Sequence, residues 1–298
     1  MMTAGIIGVN WGVVHLHNLR SAGVHVGGLC ATDAQKVAAV AREHGVAFAT
    51  TNPDDLAAFD VIVIASPPET HAQLLARFPD AFVICEKPLT GGRPAGPRPR
   101  HDRAFVNYAF GFLDVARAAS ERLADLGPVD HARIASRVAL EADFDVERWF
   151  LEVASHPLAW LLHAGEAEPV RRAADDRCFA LEARRADGAI IEVGVEVGGE
   201  PGIEHAIRID AERGRVELEG AYRPGGAWRF SALRLNGEAV SPEEAGPGDP
   251  WLRANARSVE AMLAVARGDL ARDAGIERGL FDLERALRVE RVVFAELA

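Results

Sequence analysis

Two short runs in the first ninety residues carry the residue types that chemistry needs. The first is Gly8-Val9-Asn10-Trp11-Gly12, set between an apolar run from Ala4 to Val9 and a helix-like stretch from Val13 to Ala22. Glycines there let the backbone approach an anion, and a helix N-terminus presents unpaired N–H groups. The chemistry is binding of a pyrophosphate. The full fingerprint would be G-x-G-x-x-G. This run keeps two glycines, one residue closer together, with Asn10 near the place of the middle one. Asn is the non-glycine residue that best tolerates positive φ. A tight structural turn would read the same way. The second run is Cys85-Glu86-Lys87-Pro88-Leu89, at the end of the apolar segment Phe82 to Cys85. Ligands bind outside the carboxyl ends of parallel strands. A lysine placed there can hydrogen-bond a substrate oxygen and help move its proton.

Between these runs lies the end of the second apolar segment, Val24 to Cys30. Dinucleotide-binding domains that take NAD usually place an acid there for the ribose 2′-hydroxyl. Counting back from Asp33, a helix N-cap, the position is Ala31. Without a carboxylate, nothing repels a 2′-phosphate. Thr32 can donate a hydrogen bond and Lys36 can supply charge, so NADP is favoured over NAD. The alternative is that Ala31 merely packs and either cofactor is used.

The elements that must position these residues alternate. Val61 to Ala65, Phe82 to Cys85 and Ala104 to Asn107 read as strands. Asp33 to His44 and Glu69 to Phe78 read as helices. Short apolar strands alternating with helices imply parallel βαβ units buried on both faces. Right-handed crossovers then give a Rossmann doubly wound parallel sheet. The run from Gly91 to Arg103 is rich in Gly, Pro and Arg and reads as a loop. Its arginines could hold a phosphate or carboxylate, or simply be solvated. Beyond residue 110 the pattern changes. Helices are expected over Leu113 to Leu126, Val153 to His163, Asn255 to Arg267 and Ile276 to Ala298. Strands are expected over Val129 to Ala139, Cys178 to Arg185, Ala189 to Val197, His205 to Asp210 and Arg215 to Glu219. Hairpin-like spacing predicts a mostly antiparallel sheet. The fold class is therefore α/β: a Rossmann domain over residues 1–107 and a C-terminal α+β domain over 108–298.

Strand four ends in Ala65-Ser66-Pro67-Pro68-Glu69-Thr70-His71 and strand five in Glu86-Lys87-Pro88. In this the chain resembles the Gfo/Idh/MocA oxidoreductases. The resemblance is firmest from Gly5 to Leu89. It implies an NAD(P)-dependent enzyme that moves a hydride between nicotinamide and a hydroxyl or carbonyl carbon of a sugar-like or other small molecule. It implies that Ser66, Pro67, His71 and Glu86 line the cofactor and that Lys87 is the active-site lysine. The family also carries D-x-x-x-H on a helix of the second domain. Here the positions hold Glu152 and His156, neighbours at i, i+4 on a helix. By resemblance His156 is the general acid/base, with Glu152 in support. The ordinary histidine pKa of ~6.5 suits that task. A core or capping role for His156 is the alternative. Asn107, Tyr108 and Trp149 are candidates to line the substrate cleft. The shortened glycine loop also resembles thiazolinyl imide reductases, which reduce a C=N bond, although Lys87 sets this chain apart from them. A regulator that senses NAD(P) without turnover is a reading of another class.

Composition limits the partners. The chain has 298 residues and a net charge of −11, against the basic surface that nucleic acid needs. No apolar run approaches the ~18 residues of a membrane span. The three cysteines, Cys30, Cys85 and Cys178, are far apart, and no metal-ligand spacing occurs. This usage and the lack of a secretion signal suit a reducing cytoplasm. The resemblance implies a homodimer or homotetramer built on one face of the second sheet.

Overall fold

The computed structural model describes residues 1–91, 100–141, 144–163, 165–240 and 248–294. The chain opens with β1 (Thr3–Ile7), α1 (Gly12–Ser21), β2 (His25–Cys30), α2 (Ala34–Glu43), β3 (Phe48–Thr50), β4 (Val61–Ile64), α3 (His71–Arg77), β5 (Phe82–Cys85) and β6 (Ala104–Val106). It continues with α4 (Asp114–Leu126), β7 (Val129–Ala139), α5 (Val146–Trp149), a π-helical turn (Phe150–Ala154) and α6 (Ser155–Leu162). Then come β8 (Ala167–Ala174), β9 (Cys178–Arg185), β10 (Ile190–Val197), β11 (Gly202–Ala211) and β12 (Gly214–Tyr222), followed by three two-residue strands, β13 (Arg229–Phe230), β14 (Arg234–Leu235) and β15 (Glu238–Ala239). It closes with α7 (Pro250–Arg267), α8 (Arg272–Glu277), β16 (Phe281–Asp282) and α9 (Leu283–Phe294).

Two compact units result. The first is Met1–Tyr108 with Asn255–Leu287, the second Ala109–Ala254 with Arg288–Ala298. The expected boundary after residue 107 falls beside the first of these cuts. The segment Asn255–Leu287, expected in the second domain, lies in the first unit. The reason is in the sheet: β16 pairs antiparallel with β6, setting Phe281 opposite Val106.

The first sheet has the order β16-β6-β5-β4-β1-β2-β3, and all neighbours except β16 and β6 are parallel. This is the Rossmann order with its switch point between β1 and β4. Strands covered on both faces read as unbroken apolar runs. Val61 to Ile64 and Val83 to Cys85 accordingly have no exposed surface.

The second sheet has the order β15-β14-β12-β11-β7-β10-β9-β8, with β13 beside β12. It is antiparallel except where β7 pairs β10. Residues alternate across it as the strand period of two requires. Ala132, Ile134 and Val138 of β7 are buried, while Arg133, Ala135 and Arg137 face outward. On that outer face Ala180, Gly194, Ala135 and Ala206 stand in register across four strands.

Two helices differ from expectation. The last expected helix is broken into α8, β16 and α9. Gly279, at φ 108°, turns the chain between them and lets Phe281 reach β6. The helix expected from Val153 starts at Val146 and widens to a π turn over Phe150–Ala154. Pro157 supplies no N–H to Val153, and its ring crowds that carbonyl. Ser155 Oγ donates instead to Leu151 O at 2.6 Å.

Candidate active site

The glycine loop is built by close packing. Gly8 follows β1 at φ 96°, and a Cβ on it would lie 2.2 Å from Ala65 O at the end of β4. Only glycine fits where the two strand ends touch. A Cβ on Gly12 would lie 2.9 Å from Ile6 Cγ2, so Gly12 brings α1 down onto β1. It fills the role of the last fingerprint glycine, helix–strand packing, although the loop is one residue short. Trp11 caps α1 without a side-chain hydrogen bond, so the first-turn N–H groups face outward. Asn10 and Trp11 are both exposed. An anionic group fits this cradle.

Ala31 is the first residue past β2, half-buried, and Thr32 beside it is exposed. Asp33 accepts from the backbone N–H groups of Gln35 and Lys36 and starts α2, as the sequence predicts. That helix aims Lys36 back at the glycine loop, where its Nζ donates to Asn10 Oδ1 at 2.6 Å. Asn10 thus gives the loop a polar contact that a glycine would not. Among 33 basic residues, only Lys36 and Lys87 are lysines. Both stand at strand ends on the switch-point edge of the first sheet.

At the end of β5 the Lys87–Pro88 peptide is cis. Lys87 is half-buried, and Glu86 before it is buried. Glu86 Oε1 faces His15 Nε2 of α1 at 2.6 Å and accepts from Asn107 Nδ2 at 2.9 Å. Burial raises the Glu86 pKa. The hydrogen bond and charge of His15, the Asn107 amide and Lys87 outweigh it and hold the carboxyl below its usual range. His71 is wholly buried. Its ring nitrogens face Ser66 O at 2.7 Å and Pro88 O at 3.0 Å, so it bridges the turns after β4 and β5. Burial, the largest influence, pushes its pKa down. Ser66 Oγ is 2.6 Å from Thr70 Oγ1, and Pro67 is exposed beside it.

The candidate cleft residues fare differently. Asn107 is 1% exposed, and its amide is spent on Glu86, Asn255 Oδ1 and Ser258 Oγ. Tyr108 is buried with its ring 5.0 Å from that of Phe281, where it packs in the core. In the second unit Trp149 is buried with its ring 5.0 Å from that of Phe144. Glu152 lies in the π turn and pairs with Arg148 at 2.6 Å, while His156 stands edge-on to Trp251 with ring centroids 4.7 Å apart. The wide turn replaces the α-helical spacing assumed for Glu152 and His156. Such turns recur at functional sites. Among the described residues no grouping of three or more His, Cys, Asp or Glu could hold a metal ion, and no helix is long and apolar enough to cross a membrane.

Residues 2–95 match the model of the Gfo/Idh/MocA oxidoreductases, described as an oxidoreductase family with an NAD-binding Rossmann fold. These residues form a Gfo/Idh/MocA NAD-binding domain. The whole fold is similar to that of myo-inositol dehydrogenase from Lactobacillus casei in complex with NAD(H) and myo-inositol. That pair has 15% identity and a TM-score of 0.73 over 99% of this chain and 93% of the other. UDP-N-acetylglucosamine 3-dehydrogenase from Acidithiobacillus ferrooxidans is 19% identical, with a TM-score of 0.73 over 99% and 98%. An enzyme of gentamicin A biosynthesis in complex with NAD is 19% identical, with a TM-score of 0.76 over 99% and 92%. No curated protein matches the chain in sequence.

Sequence reasoning missed one member of the Gfo/Idh/MocA domain's polar cluster, His15. The signal was present: His15 lies three residues after Gly12, next to Leu16 and four before Leu19, on the buried face of α1. A histidine in that phase needs a polar partner, and the buried carboxylate is Glu86.

Proposed function

We propose that this protein is an NAD(P)-dependent dehydrogenase or reductase acting on a hydroxyl or carbonyl carbon of a sugar-like small molecule. The observation that carries the reading is the position of Lys87. It ends β5 in the same unit, and on the same sheet edge, as the Gly8–Gly12 cradle. The nicotinamide, when bound, donates or accepts the hydride. Lys87 holds the substrate oxygen and moves its proton. His156 of the second unit is the partner acid/base, and Glu152 supports it. The Arg148–Glu152 ion pair keeps that carboxylate ionised beside the helix.

The cofactor is NADP rather than NAD. Ala31 brings no carboxylate against a 2′-phosphate, and Lys36, already drawn to Asn10, adds a cation. The short loop also favours a second reading, NADPH-dependent reduction of a C=N bond. The outer face of the second sheet, with its row of small residues, is the surface we assign to a homodimer or homotetramer.

The test is a fluorescence titration with NADPH and NADH, then an absorbance screen of polyols, nucleotide sugars and cyclic imines. Tight NADPH binding with sugar turnover that Lys87→Met abolishes is the expected result. Binding of neither nucleotide at millimolar concentration, where affinity falls to about −4 kcal/mol, overturns the proposal.

A further inference from the structure

Glu86 and His15 make a buried pair that the reaction above does not use. His15 is wholly buried and Glu86 is 9% exposed. Both His15 Nε2, at 2.6 Å, and Asn107 Nδ2, at 2.9 Å, are directed at the same carboxylate oxygen. Asn107 is itself fixed. Its Nδ2 also donates to Asn255 Oδ1, and its Oδ1 accepts from Ser258 Oγ, each at 2.9 Å. Four segments of the first unit converge here: α1, the end of β5, the end of β6, and α7 from Asn255 on. An isolated buried carboxylate would shed its charge. This one keeps it, because its donors outweigh its burial. The titratable groups that act with it are His15, Lys87 and, across the Pro88 turn, His71.

We propose that Glu86 is the fixed counter-charge of Lys87, and that His15 and Asn107 are positioning residues that lock it in place. The inference rests on the reading of Lys87 as the active-site lysine, but it concerns that lysine before any turnover. An ammonium facing a fixed carboxylate gives up its proton less readily, and only the free amine is nucleophilic. Neutralising or loosening Glu86 therefore exposes the Lys87 amine to acylation. The side chain of His15 has no other described partner for its Nδ1, so its one polar contact is with the carboxylate.

The scarcity of lysine makes this directly readable. The full chain is pulsed with limiting acetic anhydride at pH 8, and acetylation of Lys87 is measured by mass spectrometry relative to Lys36 in the same molecules. Glu86→Gln, which keeps the shape and removes the charge, is expected to raise that ratio at least about threefold. His15→Leu is expected to raise it similarly. His15→Gln, whose amide can restore the donor, is expected to return it to within about twofold of the unaltered protein. An unchanged ratio in Glu86→Gln overturns the proposal, whether or not His15→Leu folds. Equal rises in His15→Leu and His15→Gln overturn the part assigned to His15 and show that it only packs. The two readings fail separately. Full turnover in Lys87→Met removes the catalytic reading and leaves the acetylation ratio as it is.

Discussion

In the first unit a carboxylate, Glu86, lies buried between a histidine and an amide; in the second, carboxylates stand on the outer face of a sheet opposite arginines. There Arg137 faces Glu196 at 3.4 Å and Glu204 at 3.8 Å, with roughly half of each side chain exposed. Arg208 and Arg215 both reach Asp210. Exposed pairs gain little over solvation, whereas breaking a buried one strands a charge. The second unit does bury a titratable side chain, but it keeps that one neutral. His205 packs parallel to Trp228 with centroids 5.5 Å apart and meets Ser136 Oγ at 2.8 Å, and burial pushes its pKa down to about 4. One unit stores a charge under its glycine loop; the other stores an uncharged ring under its sheet.

The contrast is sharpest in stability. His15→Leu removes one of two donors from a buried charge and is expected to cost about 3–5 kcal/mol, read as a lowered urea midpoint with unchanged slope. A cost below about 1 kcal/mol would mean that the pair is not a buried ionic one. Next is pH. The folded pKa of His205 is depressed from 6.5 to about 4, so between those values the unfolded chain binds more protons. Stability is then full above pH ~6.5 and falls by about 3 kcal/mol as the pH drops towards 4. His205→Asn should flatten this slope, leaving the smaller share due to His71. Glu86 acts in a lower window. Its stabilisation is present above its unfolded pKa of 4.5 and is lost as the pH falls through its still lower folded value. A slope in the upper window that survives His205→Asn undiminished would remove the second unit from the comparison.

Smaller effects mark the exposed charges. Lys36→Met should leave the melting temperature unaltered and raise the Kd for NADPH about tenfold, roughly 1.4 kcal/mol, with NADH little affected. Equal weakening of both nucleotides would show that Lys36 does not read the 2′-phosphate. Glu196→Gln on the outer sheet face should change stability by less than about 0.5 kcal/mol. A larger loss would mean that this face is covered by another molecule under the conditions of the measurement.

Much of the first unit was legible because parallel strands buried on both faces leave apolar runs, as in Val61–Ile64 and Phe82–Cys85. The ends of those runs located Gly8, Ser66 and Lys87. Elements without a core to face were not legible. β3 is three residues long and largely exposed, and β8 carries Arg171 and Arg172 in place of an apolar alternation. β16 is two residues that only the distant β6 calls into a strand. The π turn had a sign, Pro157, that periodicity alone does not read. Asn107 was expected beside substrate from its place after the last strand, but a polar residue at a strand end serves a buried network equally well. The Arg/Pro-rich stretch from Gly91 to Arg103 was expected to be a loop; its residues 92–99 lie outside the described residues.

The return of Phe281–Asp282 to the edge of β6 has a consequence for how the chain is made. A ribosome releases β6 long before the strand that covers it. At ~5–20 residues per second, the interval is on the order of ten to thirty seconds. Through that time the β6 edge offers unpaired N–H and C=O groups to any neighbouring strand. Asn107 meanwhile waits for Asn255 and Ser258. The unit that is synthesised first is finished last, and a nascent chain stalled before residue 281 carries an open sheet edge.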